Sequence, residues 1–152
     1  MYLLALGGTI IVLDQVTKAL ILHFLPLYST MEVIPGFFNL VHARNTGAAF
    51  SILAGANSFW RQGLFVVLTL AVVTILLFAY RKLRSDDRWT RTAYAFIIGG
   101  ALGNLVDRLR LGEVVDFLDC YVASYHWPAF NVADSAITAG ALMLVVSVLR
   151  GK

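Results

Sequence analysis

Two aspartates near the end of the chain, Asp116 and Asp134, are the side chains best suited to do chemistry. They lie in the stretch Gly99–Ser135, which holds five of the nine acidic residues of the protein. Two carboxyl groups that share one proton can hydrolyse an amide without a metal, because one takes a proton from water while the other donates one. We therefore predict a carboxylate pair that activates water at a membrane surface.

Each of these aspartates also has a plainer interpretation. Asp134 comes three residues after Asn131, so its whole role could be to cap a helix and interact favourably with the helix dipole. The same dipole makes Asp134 the expected charged member of a pair. Asp116 could be an ordinary solvated loop acid, which is what we expect of Glu113 and Asp119. The residues alone leave these alternatives open.

The composition indicates a membrane protein. Of the 152 residues, 59% are hydrophobic and only 14% are charged, against about 25% charged in soluble domains. The net charge of +3 comes without the basic and aromatic stripe that tracks nucleic acid. The three histidines and the single cysteine, Cys120, lack zinc-ligand spacing, so no metal or other cofactor is expected.

The hydropathy pattern predicts an α-helical membrane protein with one domain, 1–152, and four transmembrane helices at about 3–25, 61–80, 91–109 and 131–149. The clearest span is Gln62–Tyr80, which has no charged residue. Five basic residues follow it in one short loop, which predicts a cytoplasmic loop and two cytoplasmic termini. The segment 28–52 would then be a small extracytoplasmic β-rich segment at the bilayer interface, between helices 1 and 2. It could also be a mobile lid over the site.

Several polar residues fall within the predicted spans. Asp14 and Lys18 are four apart on one helix face, so they could neutralise each other and extend outward, or support a polar site between helices. Asn104 and Arg108 are also four apart. Arg108 could grip a substrate carbonyl or form a salt bridge with Asp107 or with the predicted pair.

Taken together, four blocks change the weight of these alternatives. They are Asp14–Lys18 (DQVTK), Arg44–Phe50 (RNTGAAF), Gly99–Arg108 (GGALGNLVDR) with Val115–Phe117 (VDF), and Phe130–Ser135 (FNVADS). In this order, over nearly the whole chain, they resemble the lipoprotein signal peptidases of bacteria, the type II signal peptidases. The resemblance implies an aspartic endopeptidase of the bacterial cytoplasmic (inner) membrane. It would remove the signal peptide from prolipoproteins just before a cysteine that carries a diacylglyceryl group.

The resemblance also implies roles for individual residues. The catalytic pair falls on Asp116 and Asp134. The positions that hold the substrate and support the site are Asn45, Asn104, Arg108 and Asn131, and Asp14 falls on a position important for fold stability. We also predict Lys18 and Asp107 as structural polar residues beside Asp14. The implied partners are lipid-modified prolipoproteins, membrane lipids and the inhibitor globomycin, with no nucleic acid and a monomer as the working unit.

Two other classes of protein remain possible on the residues alone. An ion-coupled carrier could use Asp14, Asp116 and Asp134 as a proton relay, but it should show internally repeated halves, and none is found. An assembly protein held by small-residue helix faces would leave Asp116 and Asp134 replaceable.

Overall fold

The computed structural model describes residues 1–47 and 58–150. Its helices are α1 (Tyr2–Phe24), α2 (Ser58–Lys82), α3 (Arg88–Leu111) and α4 (Val132–Leu149). Its strands are β1 (Thr30–Ile34), β2 (Phe38–Asn45), β3 (Val114–Val122) and β4 (Tyr125–His126). The molecule is therefore predominantly helical, with a small sheet.

Within the described residues, three helices are long and apolar enough to cross a membrane: Tyr2–Phe24, Phe59–Lys82 and Val132–Leu149. The sequence predicted four. The remaining helix, α3, has 24 residues but carries charged and amide side chains along its length. Its apolarity alone therefore does not make it a membrane span.

Helix α3 packs against α1, α2 and α4. Close approach depends on its small residues. A Cβ added to Gly99 would lie 2.9 Å from the carbonyl oxygen of Gly7 in α1, and one added to Gly103 would lie 2.8 Å from Asp14 Oδ2. Gly99 and Gly103, four residues apart on one helix face, thus let α3 approach the polar face of α1 closely.

The ends of α3 are fixed by local chemistry. The Asp87 side chain caps the first turn by accepting a hydrogen bond from the backbone N–H of Thr90 at 3.1 Å. Gly112 ends the helix with φ of 80°, a left-handed conformation that costs glycine little. The chain can then turn directly into β3, which carries Asp116.

The strands form one antiparallel sheet in the order β1-β2-β3-β4. The prediction of short strands between the first two helices is confirmed by β1 and β2. The part of the segment 28–52 beyond Gly47 lies outside the described residues, so its proposed lid role stays a prediction. Strand β3, which the sequence pattern did not predict, pairs Ala43 with Asp116 and Asn45 with Val114.

The sheet is attached to the helices by an apolar cluster. Ile21 of α1 packs with Val115 and Phe117 of β3. These two residues flank Asp116, so the cluster fixes the strand on both sides of the acid.

Candidate active site

Asp116 is buried near the start of β3, with 3% of its surface exposed. Its Oδ1 accepts a hydrogen bond from Asn131 Nδ2 at 2.7 Å, and its Oδ2 accepts one from Asn45 Nδ2 at 2.9 Å. Burial raises the pKa of Asp116 to about 6, and the nearby Asp134 carboxylate adds to the rise against these two hydrogen bonds. Asp116 is therefore not a solvated loop acid.

Asp134 lies in the first turn of α4 and forms a capping box with Asn131. Its backbone N–H donates to Asn131 Oδ1 at 2.9 Å, and its Oδ2 accepts from the backbone N–H of Asn131 at 3.3 Å. Its other oxygen, Oδ1, accepts from Asn104 Nδ2 at 2.8 Å. The capping interpretation of Asp134 is therefore correct, and the same carboxylate also contacts a polar side chain of α3.

The Asn131 carboxamide joins the two aspartates. It is fully buried, donates through Nδ2 to Asp116 and accepts at Oδ1 from Asp134. The same Nδ2 lies 3.2 Å from Asn104 Oδ1 and 3.2 Å from the carbonyl oxygen of Val115. Asp116 and Asp134, 18 positions apart in the chain, thus belong to one hydrogen-bonded centre.

A buried ion cluster lies behind this centre. Lys18, with 2% of its side chain exposed, has its Nζ 2.9 Å from Asp14 Oδ2 and 2.8 Å from Asp107 Oδ2. It also donates to Asn104 Oδ1 at 2.9 Å. Lys18 therefore points into the protein, and the interpretation of an outward-extending pair is wrong. The reason is that α3 supplies two further acceptors 86 or more positions away.

The two acids of the ion cluster also hold backbone that leads into the site. Asp14 Oδ1 accepts from the backbone N–H of Ala133 at 3.0 Å, directly before Asp134. Asp107 Oδ2 accepts from the backbone N–H of Val115 at 3.1 Å, directly before Asp116. Each predicted structural carboxylate is thus bonded to the residue that precedes one of the two predicted catalytic acids.

Gln15 is a member of this network that the residue predictions omitted. Its Nε2 contacts Asp14 Oδ2 at 3.2 Å and Asp107 Oδ1 at 2.9 Å, so it bridges α1 and α3. Its place next to Asp14 in the DQVTK block is the signal that could have indicated it.

Arg108 makes no salt bridge to Asp107 or to either predicted catalytic acid among the residues that the structure describes. Its Nη1 lies 3.4 Å from the carbonyl oxygen of Asn104, and its guanidinium carbon lies 5.3 Å from the centre of the Phe65 ring. One of the two roles predicted for Arg108, the salt bridge, is therefore not observed among the described residues.

A groove of about 350 Å³ opens beside Asp134, between α2, α3 and α4. Asn104, Arg108 and Asp134 are its charged and amide lining residues, and the rest of the lining is apolar except for Thr69. A groove of this composition can hold an apolar chain against a polar reaction centre.

Asn45 reaches the site from β2. Its Nδ2 donates to Asp116, and its Oδ1 accepts from the backbone N–H of Gly47 at 2.8 Å. Gly47 has φ of 95°, so this turn favours glycine. The rest of the RNTGAAF block, Ala48–Phe50, lies outside the described residues.

The expectation that Asp119 is solvated is wrong. Only 6% of it is exposed, and it accepts hydrogen bonds from Asn39 Nδ2 at 2.9 Å and from His126 Nδ1 at 2.9 Å. Glu113 is part-exposed and lies 3.3 Å from Arg44 Nη1. Both acids support the sheet, and neither joins the centre around Asn131.

Among the described residues, no group of three or more His, Cys, Asp or Glu side chains could hold a metal ion. The groups that converge are two carboxylates, three carboxamides and a nearby guanidinium. These groups can bind an extended peptide backbone and exchange protons with it. The fold and the site therefore define a class: a helical membrane protein whose polar centre suits acid–base chemistry.

Comparison with known proteins identifies the family within this class. The model of the signal peptidase II family matches residues 6–150. The lipoprotein signal peptidase of Syntrophotalea carbinolica is 48% identical over 97% of this chain and 91% of its own length. That of Aeromonas hydrophila is 50% identical over 93% of this chain and 84% of its own length.

Solved structures agree with this assignment. Two structures described as a bacterial membrane enzyme solved by the in meso method are 33% and 32% identical to this chain, with TM-scores of 0.87 and 0.88. They match 98% and 99% of this chain, and 88% and 94% of their own chains. The chain belongs to the signal peptidase II family. The predicted resemblance and the predicted signal peptidase activity in lipoprotein maturation are thereby confirmed.

Proposed function

We propose that this protein is an aspartic endopeptidase in which Asp116 and Asp134 form the catalytic pair. Its substrate is a bacterial prolipoprotein whose cysteine carries a diacylglyceryl group, and it cuts the chain just before that cysteine. The observation that supports this most is the buried Asn131, which donates from its side-chain Nδ2 to the Asp116 carboxyl group and from its backbone N–H to the Asp134 carboxyl group. Two carboxyl groups held by one residue can share a proton, as this metal-free mechanism requires.

The environments of the two acids suggest which one holds the proton. Burial raises the pKa of Asp116 to about 6, which suits the protonated member. Asp134 lies at the N-terminus of α4, where the helix dipole favours an anion. In the first step, Asp134 takes a proton from water, the water oxygen bonds to the peptide carbonyl carbon, and Asp116 donates its proton to the carbonyl oxygen.

The second step restores both acids. Asp134 gives its new proton to the leaving nitrogen, the carbon–nitrogen bond breaks, and Asp116 takes a proton from a hydroxyl of the tetrahedral intermediate. A carboxylic acid and an amine are released, and each aspartate returns to its starting state.

The supporting polar residues bind the substrate. Arg108 donates to the peptide carbonyl or to the developing oxyanion. Asn45 and Asn104 supply donors and acceptors to a substrate backbone that has no hydrogen bonds of its own, and the fully buried Asn131 supports the two acids. The apolar part of the groove beside Asp134 receives hydrophobic substrate groups, which a membrane-embedded signal peptide provides.

We further propose that α3 is a fourth transmembrane helix. At 1.5 Å per residue its 24 residues extend about 36 Å, enough for a hydrocarbon core of about 30 Å. Its Asn104 and Asp107 are buried, so they need not face lipid. Both termini and the basic loop after α2 then lie in the cytoplasm. The sheet and the catalytic pair lie at the extracytoplasmic face of the inner membrane.

Three properties of the working enzyme complete the proposal. Exposed apolar side chains on the outer faces of the helices contact membrane lipids. The monomer is active, because all the proposed catalytic and binding residues come from one chain. Globomycin inhibits the enzyme by occupying the same site.

The test is a gel-shift cleavage assay on a diacylglyceryl-modified prolipoprotein in detergent. Asp116→Asn and Asp134→Asn should each lower kcat by a factor of about 10³, because each removes one half of the proton exchange. Asp86→Asn, at an exposed loop residue, is the control and should cut like the parent. Parent-like cutting by both variants would falsify the catalytic assignment.

A further inference from the structure

The buried ammonium of Lys18 has three N–H donors, and one of them is not used by the ion cluster. Two point to carboxylates, Asp14 and Asp107, which would be sufficient to hold a buried cation. The third donates to Asn104 Oδ1 at 2.9 Å. This third bond connects the ion cluster to the catalytic centre.

The bond from Lys18 determines which way the Asn104 carboxamide faces. Its oxygen accepts from Lys18 and lies 3.2 Å from Asn131 Nδ2, so its amide nitrogen must point away from both donors. That nitrogen donates to Asp134 Oδ1 at 2.8 Å. If the amide were rotated by half a turn, an oxygen would face the Asp134 carboxylate and the hydrogen bond would be lost.

From this geometry, we infer that Lys18 is a positioning residue for catalysis, which acts through Asn104 to hold the Asp134 carboxylate in its reactive orientation. The inference rests on the proposed catalytic pair. It assigns Lys18 a part in the chemical step in addition to its part in stability. Displacement of a reacting group by about 1 Å can cost about a hundredfold in rate.

The test must separate positioning from charge balance, because removing Lys18 alone would leave two unpaired buried carboxylates. We therefore combine each change of Lys18 with Asp107→Asn. The parent cluster of Asp14, Lys18 and Asp107 carries one net negative charge, and either double variant also carries one. Lys18→Gln keeps an N–H donor for Asn104. Lys18→Met has a side chain about as long as that of glutamine but no N–H donor.

The prolipoprotein cleavage assay should show kcat at least tenfold higher for Lys18→Gln/Asp107→Asn than for Lys18→Met/Asp107→Asn. KM should agree within about twofold and thermal unfolding midpoints within a few degrees, because neither substrate binding nor fold distinguishes the two variants. Equal kcat in both variants would overturn the inference and leave Lys18 a structural ion only.

A second variant covers the case in which the methionine variant does not fold. Asn104→Asp keeps an oxygen for Lys18 but replaces the amide donor toward Asp134 with an oxygen. It should lower kcat at least tenfold, and the unfolding midpoint, which the added buried charge lowers, is measured beside it to show that the variant is folded. A kcat equal to that of the parent would contradict the positioning path through Asn104.

The Asp116→Asn variant, measured alongside, separates this inference from the proposed function. If Asp116→Asn still cuts, the catalytic pair is wrong. If it does not cut, and the methionine and glutamine variants behave alike, only the role of Lys18 is wrong.

Discussion

Helices α2 and α3 are neighbours of nearly equal length, 25 and 24 residues, but they have opposite relations to their surroundings. In the most apolar part of α2 only 11% of residues are buried inside the protein, so its side chains face outward. Helix α3 is packed between α1, α2 and α4 and buries an amide and a carboxylate, Asn104 and Asp107. High apolarity therefore does not find every helix that builds the polar centre, because α3, the least apolar of the four helices, supplies Asn104 to it and Asp107 to the ion cluster behind it.

The comparison predicts that a polar side chain contributes far more to the free energy of unfolding on α3 than on α2. Asp107→Ala removes the acceptor of Lys18, Gln15 and the Val115 N–H, and loss of one partner from a buried ion cluster costs about 3–5 kcal/mol. Thr74→Ala on α2 removes only an exposed hydroxyl bonded to its own helix, so its effect should be below about 0.5 kcal/mol. Unfolding followed by circular dichroism in detergent measures both, and equal losses would contradict the comparison.

Gly→Ala substitutions on the two helices test the same contrast, because they show how much space each helix has for an added methyl group. A Cβ at Gly103 would lie 2.8 Å from Asp14 Oδ2, and Asp14 is fixed by several bonds, so Gly103→Ala should cost about 1–3 kcal/mol. A Cβ at Gly63 on α2 meets nothing within 4 Å. Gly63→Ala should therefore stabilise the helix by about 0.5 kcal/mol. The midpoints of thermal unfolding in detergent should move in opposite directions, and a shift of the same sign would refute the packing argument.

The difference between the two helices also explains what could be predicted from the sequence. The uncharged run in α2 is a strong and local signal. The inward direction of Lys18 is not local, because it depends on acceptors that α3 brings from a distant part of the chain. The individual site residues came from the family resemblance, since spacing alone left both Asp116 and Asp134 with plausible structural roles.

Strand β3 was missed for a related physical reason. A strand with one face in water alternates apolar and polar residues, and this alternation is what sequence reading detects. The first four residues of β3 are all buried, because one face packs on α1 and the other lines the polar centre. The burial of Asp119 was not predicted because its partners Asn39 and His126 become its neighbours only when the sheet forms.

The smallest predicted effect is a change in pH dependence, and it distinguishes residues at the polar centre from those on α2. The proposed mechanism needs protonated Asp116, so kcat/KM should fall as the pH rises through the Asp116 pKa of about 6. The hydrogen bond from Asn45 favours the ionised form, so Asn45→Ala should raise that pKa further and move the alkaline limb up by about half a pH unit. Thr74→Ala on α2 should give the parent profile. Cleavage rates of the prolipoprotein between about pH 5 and pH 8.5 measure the three profiles, and a limb that moves to lower pH in Asn45→Ala would show that Asp116 is not the group that must be protonated.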